Sequence, residues 1–146
     1  MFRGNCPATI DEDGRLKVPS TIRKYLASKY GSEFFVTSFD GHAARVYPAL
    51  EWQKVEDKLR GLPSTEPSAK KLLNHINYFG QTAHIDGQGR ILIPSVLREV
   101  AQIKGEVAVL GFFDYFEVWN DHLYREMLKE KPMTEEDWKV LSGYGI

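Results

Sequence analysis

Short runs in which apolar and polar residues alternate, each closed by turn-forming residues, set the pattern of two stretches of the chain. A two-residue period marks half-buried strands. Residues 5–10 and 81–85 read as strands leading into turns, with Gly14 and Gly89 placed where a positive φ is needed. A second strand follows in each stretch, Arg15–Val18 and Arg90–Ile93, closed by a proline. Ser20 and Ser95 then stand as N-caps of helices over 21–30 and 96–103, with Gly31 and Gly105 as their stops. Hairpins come next, Phe34–Ser38 with Arg45–Tyr47 and Val107–Leu110 with Tyr115–Trp119. The predicted order is β-β-α-β-β, twice.

After each unit the period becomes helical. Leu50, Trp52, Val55 and Leu59 are spaced for one broad face. GLPSTEPS (61–68) reads as a linker, and a helix over 69–79 delivers the chain to the second unit. There, Asn120 or Asp121 caps a helix carrying Leu123, Met127 and Leu128. Thr134 caps a last helix with Glu135, Glu136 and Asp137 in its first turn, and Trp138 and Leu141 share a face expected to dock. The expected organisation is a first unit over 5–50, a helical connector over 51–80, a second unit over 81–124 and a helical tail over 125–146.

The two stretches are copies of one another. IDEDGRLKVPSTIR (10–23) and IDGQGRILIPSVLR (85–98) share seven of fourteen residues at an offset of 75. The shared residues include Asp11/Asp86, Gly14/Gly89, Arg15/Arg90 and Arg23/Arg98, and three further positions exchange one aliphatic residue for another. The likeness resumes at an offset of 73 in the hairpins and 72 at Val46/Val118. Units of about 50 residues bury little core alone. Two in one chain are therefore expected to pack about a pseudo-two-fold axis, as a symmetric dimer would. The expected class is α+β, rich in β.

With 42% apolar and 27% charged residues, the 146-residue composition is that of a soluble folded protein. No stretch approaches the roughly 18 apolar residues of a membrane helix. MFRGNCPATIDEDG lacks the apolar core of a secretory signal, and a single cysteine, Cys6, suits a reducing cytoplasm. The net charge of −1 argues against a simple polycation, but it hides a pattern. Residues 1–30 and 69–105 each carry +3, while 31–68 carry −2 and 106–146 carry −5. Two basic repeat starts make a positive face of the kind that attracts phosphate.

Asp-x-x-Gly-Arg, present twice, is the sharpest local feature. Its glycine permits a tight turn, and the arginine's planar fork suits a phosphate or the O6/N7 edge of guanine. The competing reading is a local brace, Asp11 to Arg15 and Asp86 to Arg90, and both roles can hold. Arg23 and Arg98 either extend the basic face or are solvated helix charges. The turn residues Asp11, Gly14, Asp86 and Gly89 are scaffold on either reading. Enzymatic readings find no motif. His42, His75, His84 and His122 lack metal-binding spacing, and no nucleophile elbow, P-loop or dinucleotide fingerprint is present. The expectation is a protein that is not an enzyme and needs no cofactor, metal or small-molecule substrate. Most hairpin aromatics, from Phe34 to Trp119, are expected in core or subunit contacts rather than as base-stacking platforms.

MFRG, IDEDGRLKVP, IDGQGRILIP with SVLRE after it, and VYP after the first hairpin resemble the bacterial MraZ family, of the AbrB-like swapped-hairpin superfamily. The resemblance covers essentially the whole chain. It implies a double swapped-hairpin barrel of two SpoVT-AbrB-like units. It also implies a nucleoid-associated transcriptional regulator that binds repeated boxes on double-stranded DNA upstream of the division and cell-wall genes, as a homo-oligomeric ring. Carried over, the DNA-binding residues are Arg15 and Arg90, with Arg3 of the MFRG opening and Lys17 as further contacts. The family's first motif commonly has Lys before the glycine, where this chain has Asp13 and, in the second copy, Gln88. Asp13 removes a positive charge beside the expected DNA face, so unequal contributions from the two units are expected, with Lys17, whose counterpart is the apolar Leu92, partly restoring the balance. An alternative of another class is a protein-interaction module whose basic face meets an acidic partner, such as an enzyme it inhibits, without touching DNA.

Overall fold

A computed structural model describes residues 1–146. The first unit contains β1 (Asn5–Ile10), β2 (Arg15–Lys17), α1 (Ser20–Lys29), β3 (Glu33–Thr37) and β4 (Ala44–Pro48), followed by α2 (Ala49–Arg60) and α3 (Pro67–Phe79). The second contains β5 (Gln81–His84), β6 (Arg90–Leu92), α4 (Ser95–Ala101), β7 (Gly105–Phe112) and β8 (Tyr115–Asn120), followed by α5 (Asp121–Glu130) and α6 (Glu135–Ser142). The β-β-α-β-β order thus holds in both copies.

All eight strands form one antiparallel sheet, in the order β5-β3-β4-β8-β7-β1-β2-β6, curled into a nearly closed barrel. Its topology is an exchange. β1 of the first unit pairs with β7 of the second, from Asn5↔Leu110 to Ile10↔Gly105. β5 of the second pairs with β3 of the first, from Glu33↔His84 to Val36↔Gln81. β2 pairs with β6 and β4 with β8, again across units. Each unit's N-terminal hairpin therefore satisfies its backbone chiefly on the other unit. This is the swapped-hairpin arrangement, and it explains why neither unit is a closed domain alone.

The core follows from the same exchange. Strand alternation turns Leu16, Val18, Val36 and Val46 inward from one unit and Ile91, Ile93, Val109 and Val118 from the other, all fully buried. These include two of the three positions at which the repeat trades aliphatic residues, Leu16/Ile91 and Val18/Ile93. Outside the barrel, Tyr47, Trp52 and Ile76 form a second cluster that seats α2 and α3 on the β3–β4 hairpin.

Several local expectations are corrected. Ser20 and Ser95 are the first helical residues rather than caps. Pro19 and Pro94 occupy the N-cap positions, and no side chain bonds there. Helix α4 stops at Ala101 because Gln102 takes the left-handed conformation (φ 54°), and Gly105 opens β7 instead of closing the helix. Likewise Tyr30, not Gly31, ends α1. Leu50 is 57% exposed, while its neighbour Glu51 is buried. The buried carboxylate is satisfied by the Tyr30 hydroxyl at 2.8 Å and by Lys54 Nζ at 3.1 Å. Asn120 does cap α5, and Thr134 and Asp137 form a reciprocal capping box on α6. Docking of α6 is not seen: Trp138 is 53% exposed and no residue of the helix is buried.

Leu16 has no exposed surface and lies at the centre of the interface between the units. Leu16→Ala should cost about 3 kcal/mol, measured by urea unfolding. Leu92→Ala, on the outward face of the partner strand, should cost well under about 1 kcal/mol.

Candidate functional site

The two Asp-x-x-Gly-Arg turns are built alike. Asp11 Oδ1 accepts the N–H of Arg15 at 2.9 Å, and Asp86 Oδ1 accepts those of Arg90 at 3.0 Å and Gln88 at 2.8 Å. The aspartate thus closes the loop on its own backbone, as short polar side chains do in turns. Gly14 (φ 85°) and Gly89 (φ 76°) occupy the left-handed region, as the motif requires. Hydrogen bonds from the Arg90 backbone, then from Gln88, with the Arg90 guanidinium beside them, hold the Asp86 carboxyl below the usual carboxylate range.

The turns are also locked to each other. Val18 donates its N–H to the Gly89 carbonyl at 2.9 Å, and Ile93 donates to the Gly14 carbonyl at 3.0 Å. The guanidinium of Arg98 lies over Gly14, and the Arg23 side chain lies over Gly89. A Cβ at either glycine would collide with that arginine. Arg98 Nε donates to the Ile93 carbonyl at 2.9 Å, whereas the buried Arg23 Nε has no partner. Neither arginine is therefore a freely solvated helix charge. Their signal in the sequence was their identity at the same position of both repeats.

Between the turns, β2 and β6 make a two-stranded ribbon with Arg15↔Leu92, Leu16↔Ile91 and Lys17↔Arg90 opposite one another. The middle pair points into the core, so the flanking pairs face outward. Arg15, Lys17 and Arg90 thereby share one surface with the exposed Leu92. Arg15 and Arg90 keep side-chain exposures of 41% and 35%. Arg3 is not brought to them. It lies beyond the far end of β1, next to the β7–β8 turn, where Phe2 N–H bonds the Phe113 carbonyl at 2.9 Å. The strand from Asn5 to Ile10, which separates it from the turn, alone spans about 17 Å.

Only one of the two expected braces forms between side chains. Arg90 Nε lies 3.3 Å from Asp86 Oδ2, and its Nη1 lies 3.8 Å from Asp11 of the other unit. Arg15 turns instead to Asp13, at 3.8 Å. Asp11, occupied by the backbone of its turn, faces across the interface to Arg90. Such exposed pairs are weak and leave the guanidinium forks available. The DNA major groove admits a pair of β-strands, and Arg15, Lys17 and Arg90 carry donors suited to phosphate and guanine.

The chain is similar to known proteins over its whole length. The family described as "MraZ protein, putative antitoxin-like" matches residues 1–75 and 80–139. A protein of Acidobacterium capsulatum named "Transcriptional regulator MraZ" is 46% identical over 146 residues, covering 100% of both chains. One of the same name from Koribacter versatilis is 50% identical over 147 residues, again covering 100% of both. A third, from Syntrophobacter fumaroxidans, is 30% identical over 99% of this chain and 97% of its own.

Gly89→Ala combines a disfavoured backbone with a collision against Arg23, and should cost at least about 1 kcal/mol by urea unfolding. The lowered Asp86 carboxyl has a pH signature with a definite sign. Its contribution is present above the unfolded carboxylate value of about 3.9 and is lost as pH falls through the depressed folded value. The melting temperature of the parent minus that of Asp86→Ala should therefore be positive at pH 7 and shrink towards pH 2.

Proposed function

The chain belongs to the MraZ family, and from that premise we propose that it is a transcriptional regulator that binds duplex DNA through the β2–β6 ribbon. Its close relatives carry the name of transcriptional regulators. The observation that carries the reading is the outward alignment of Arg15, Lys17 and Arg90 on one ribbon, flanked by turns that the two units build jointly.

Arg15 and Arg90 are the principal anchors and the candidate base readers, and Lys17 is a phosphate contact. Arg98 and Arg23, seated over the turn glycines, support the same surface from behind. Arg3 stands apart and would meet DNA only outside this ribbon. The two halves offer different chemistry. The first presents Arg15 beside Asp13 and Lys17; the second presents Arg90 between two aspartates with Leu92 outward. An exposed aliphatic side chain at a ribbon of this kind can meet a thymine methyl.

One ribbon makes few phosphate contacts, and the net charge of −1 gives little general attraction to DNA. A homo-oligomeric ring solves this by presenting several ribbons to repeated promoter boxes, so that linkage rather than charge raises affinity. The target is the DNA upstream of the division and cell-wall genes. The protein acts at the nucleoid, in the cytoplasm, without a cofactor.

Gel-shift titration with the protein's own upstream DNA, at two salt concentrations, tests the reading. Specific binding that falls steeply with salt is expected. Arg15→Ala and Arg90→Ala should each weaken it roughly 10- to 100-fold while leaving the folded assembly intact. Unchanged shifts in both variants would remove these anchors. Absence of specific binding by the parent would favour a module that meets an acidic protein instead.

A further inference from the structure

The pseudo-two-fold axis relating the two units passes through two strand pairs, and at each it sets equivalent positions of the repeat face to face. On β2–β6 these are Leu16 and Ile91, both apolar and buried. Their chemistry does not distinguish one unit from the other. On β4–β8 they are Arg45 and Glu117, which occupy the same place in the two copies at an offset of 72.

This second pair is largely enclosed. The side chains are 26% and 12% exposed, and Arg45 Nε lies 3.4 Å from Glu117 Oε2. The guanidinium sits 3.9 Å from the centroid of the Phe39 ring and 4.8 Å from that of Tyr115, and it donates to the Tyr47 hydroxyl at 3.1 Å. Glu117 accepts a hydrogen bond from Trp119 Nε1 at 2.8 Å. Both charges are thus fixed in place on the axis.

Two copies of the first unit, paired in this geometry, would set Arg45 against Arg45. Two copies of the second would set Glu117 against Glu117. Like charges directly opposite on neighbouring strands repel, and poorly solvated ones repel more strongly. We propose that the Arg45–Glu117 pair is a pairing code, which admits the second unit onto the first and rejects a like unit from another copy of the chain. Its energetics suit that role better than general stabilisation. Burial pushes the Glu117 carboxyl up, so desolvation offsets much of the attraction to Arg45. Buried pairs of this kind seldom add net stability and are best attested as selectors of register and partner. The code matters most during synthesis, when the first unit is complete and exposed before its own partner exists. At that moment the available competitor is the first unit of a neighbouring copy.

Charge reversal in the full chain tests the proposal. R45E places Glu against Glu and E117R places Arg against Arg, and each should lower the melting temperature by about 10 °C. The exchanged variant R45E/E117R should recover most of that loss. In the decisive sample, the two single variants are unfolded together and refolded as an equimolar mixture. Within either variant only like charges can meet, so opposite charges meet only when a unit of one variant pairs with a unit of the other. The mixture should melt well above either variant refolded alone. An exchanged variant no more stable than the worse single variant, or a mixture that melts as the superposition of its components, would overturn the code. If a single variant fails to fold by itself, its recovery in the mixture decides the matter in the same way.

Discussion

Two backbone hydrogen bonds, Val18 N–H to the Gly89 carbonyl and Ile93 N–H to the Gly14 carbonyl, tie the turn of each repeat to the second strand of the other. The rest of the architecture depends on this reciprocity. It holds β2 against β6, keeps Leu16 and Ile91 in the core and turns their neighbours outward. It also brings Arg98 and Arg23 over the glycines of the opposite unit, where a left-handed backbone and the lack of a Cβ are both needed. The outward basic ribbon is the exposed side of an interface whose inner side is the hydrophobic core.

Much of this was legible in the sequence because it is local or repeated. The Asp-x-x-Gly-Arg turns, the strand alternation and the β-β-α-β-β order each rest on a few neighbouring residues. The exchange of hairpins is different. β1 has the same alternation whether it pairs with β3 or with β7, so its residues do not name its partner; the family resemblance implied it. Other departures arise where a tertiary partner overrides a local pattern. Glu51 replaces Leu50 in the buried stripe because Tyr30 and Lys54 meet its carboxylate. Arg15 turns to Asp13, while the second oxygen of Asp11 faces Arg90 of the other unit. Periodicity can assign Trp138 to a face of α6, but it cannot supply that face with a neighbour.

Pseudo-symmetry with unequal side chains is the other theme. The ribbon repeats its backbone faithfully while Lys17 answers to Leu92 and Asp13 to Gln88. The axis at β4–β8 sets Arg45 against Glu117 in the same spirit. A scaffold of two copies in one chain can therefore carry an asymmetric surface that a dimer of identical chains cannot present. At the ribbon the core exchanges only aliphatic residues, Leu16 for Ile91 and Val18 for Ile93, whereas in the hairpins it trades size, Phe34 for Val107 and Ala44 for Phe116.

Duplication ordinarily leaves one copy free to drift while the other keeps the original role. The seating of Arg98 on Gly14, and of Arg23 on Gly89, withdraws that freedom. A change in either turn disturbs a side chain that belongs to the other half, so neither repeat is spare. Such a chain is expected to evolve by compensated pairs of substitutions, one in each half, long after the duplication that created it.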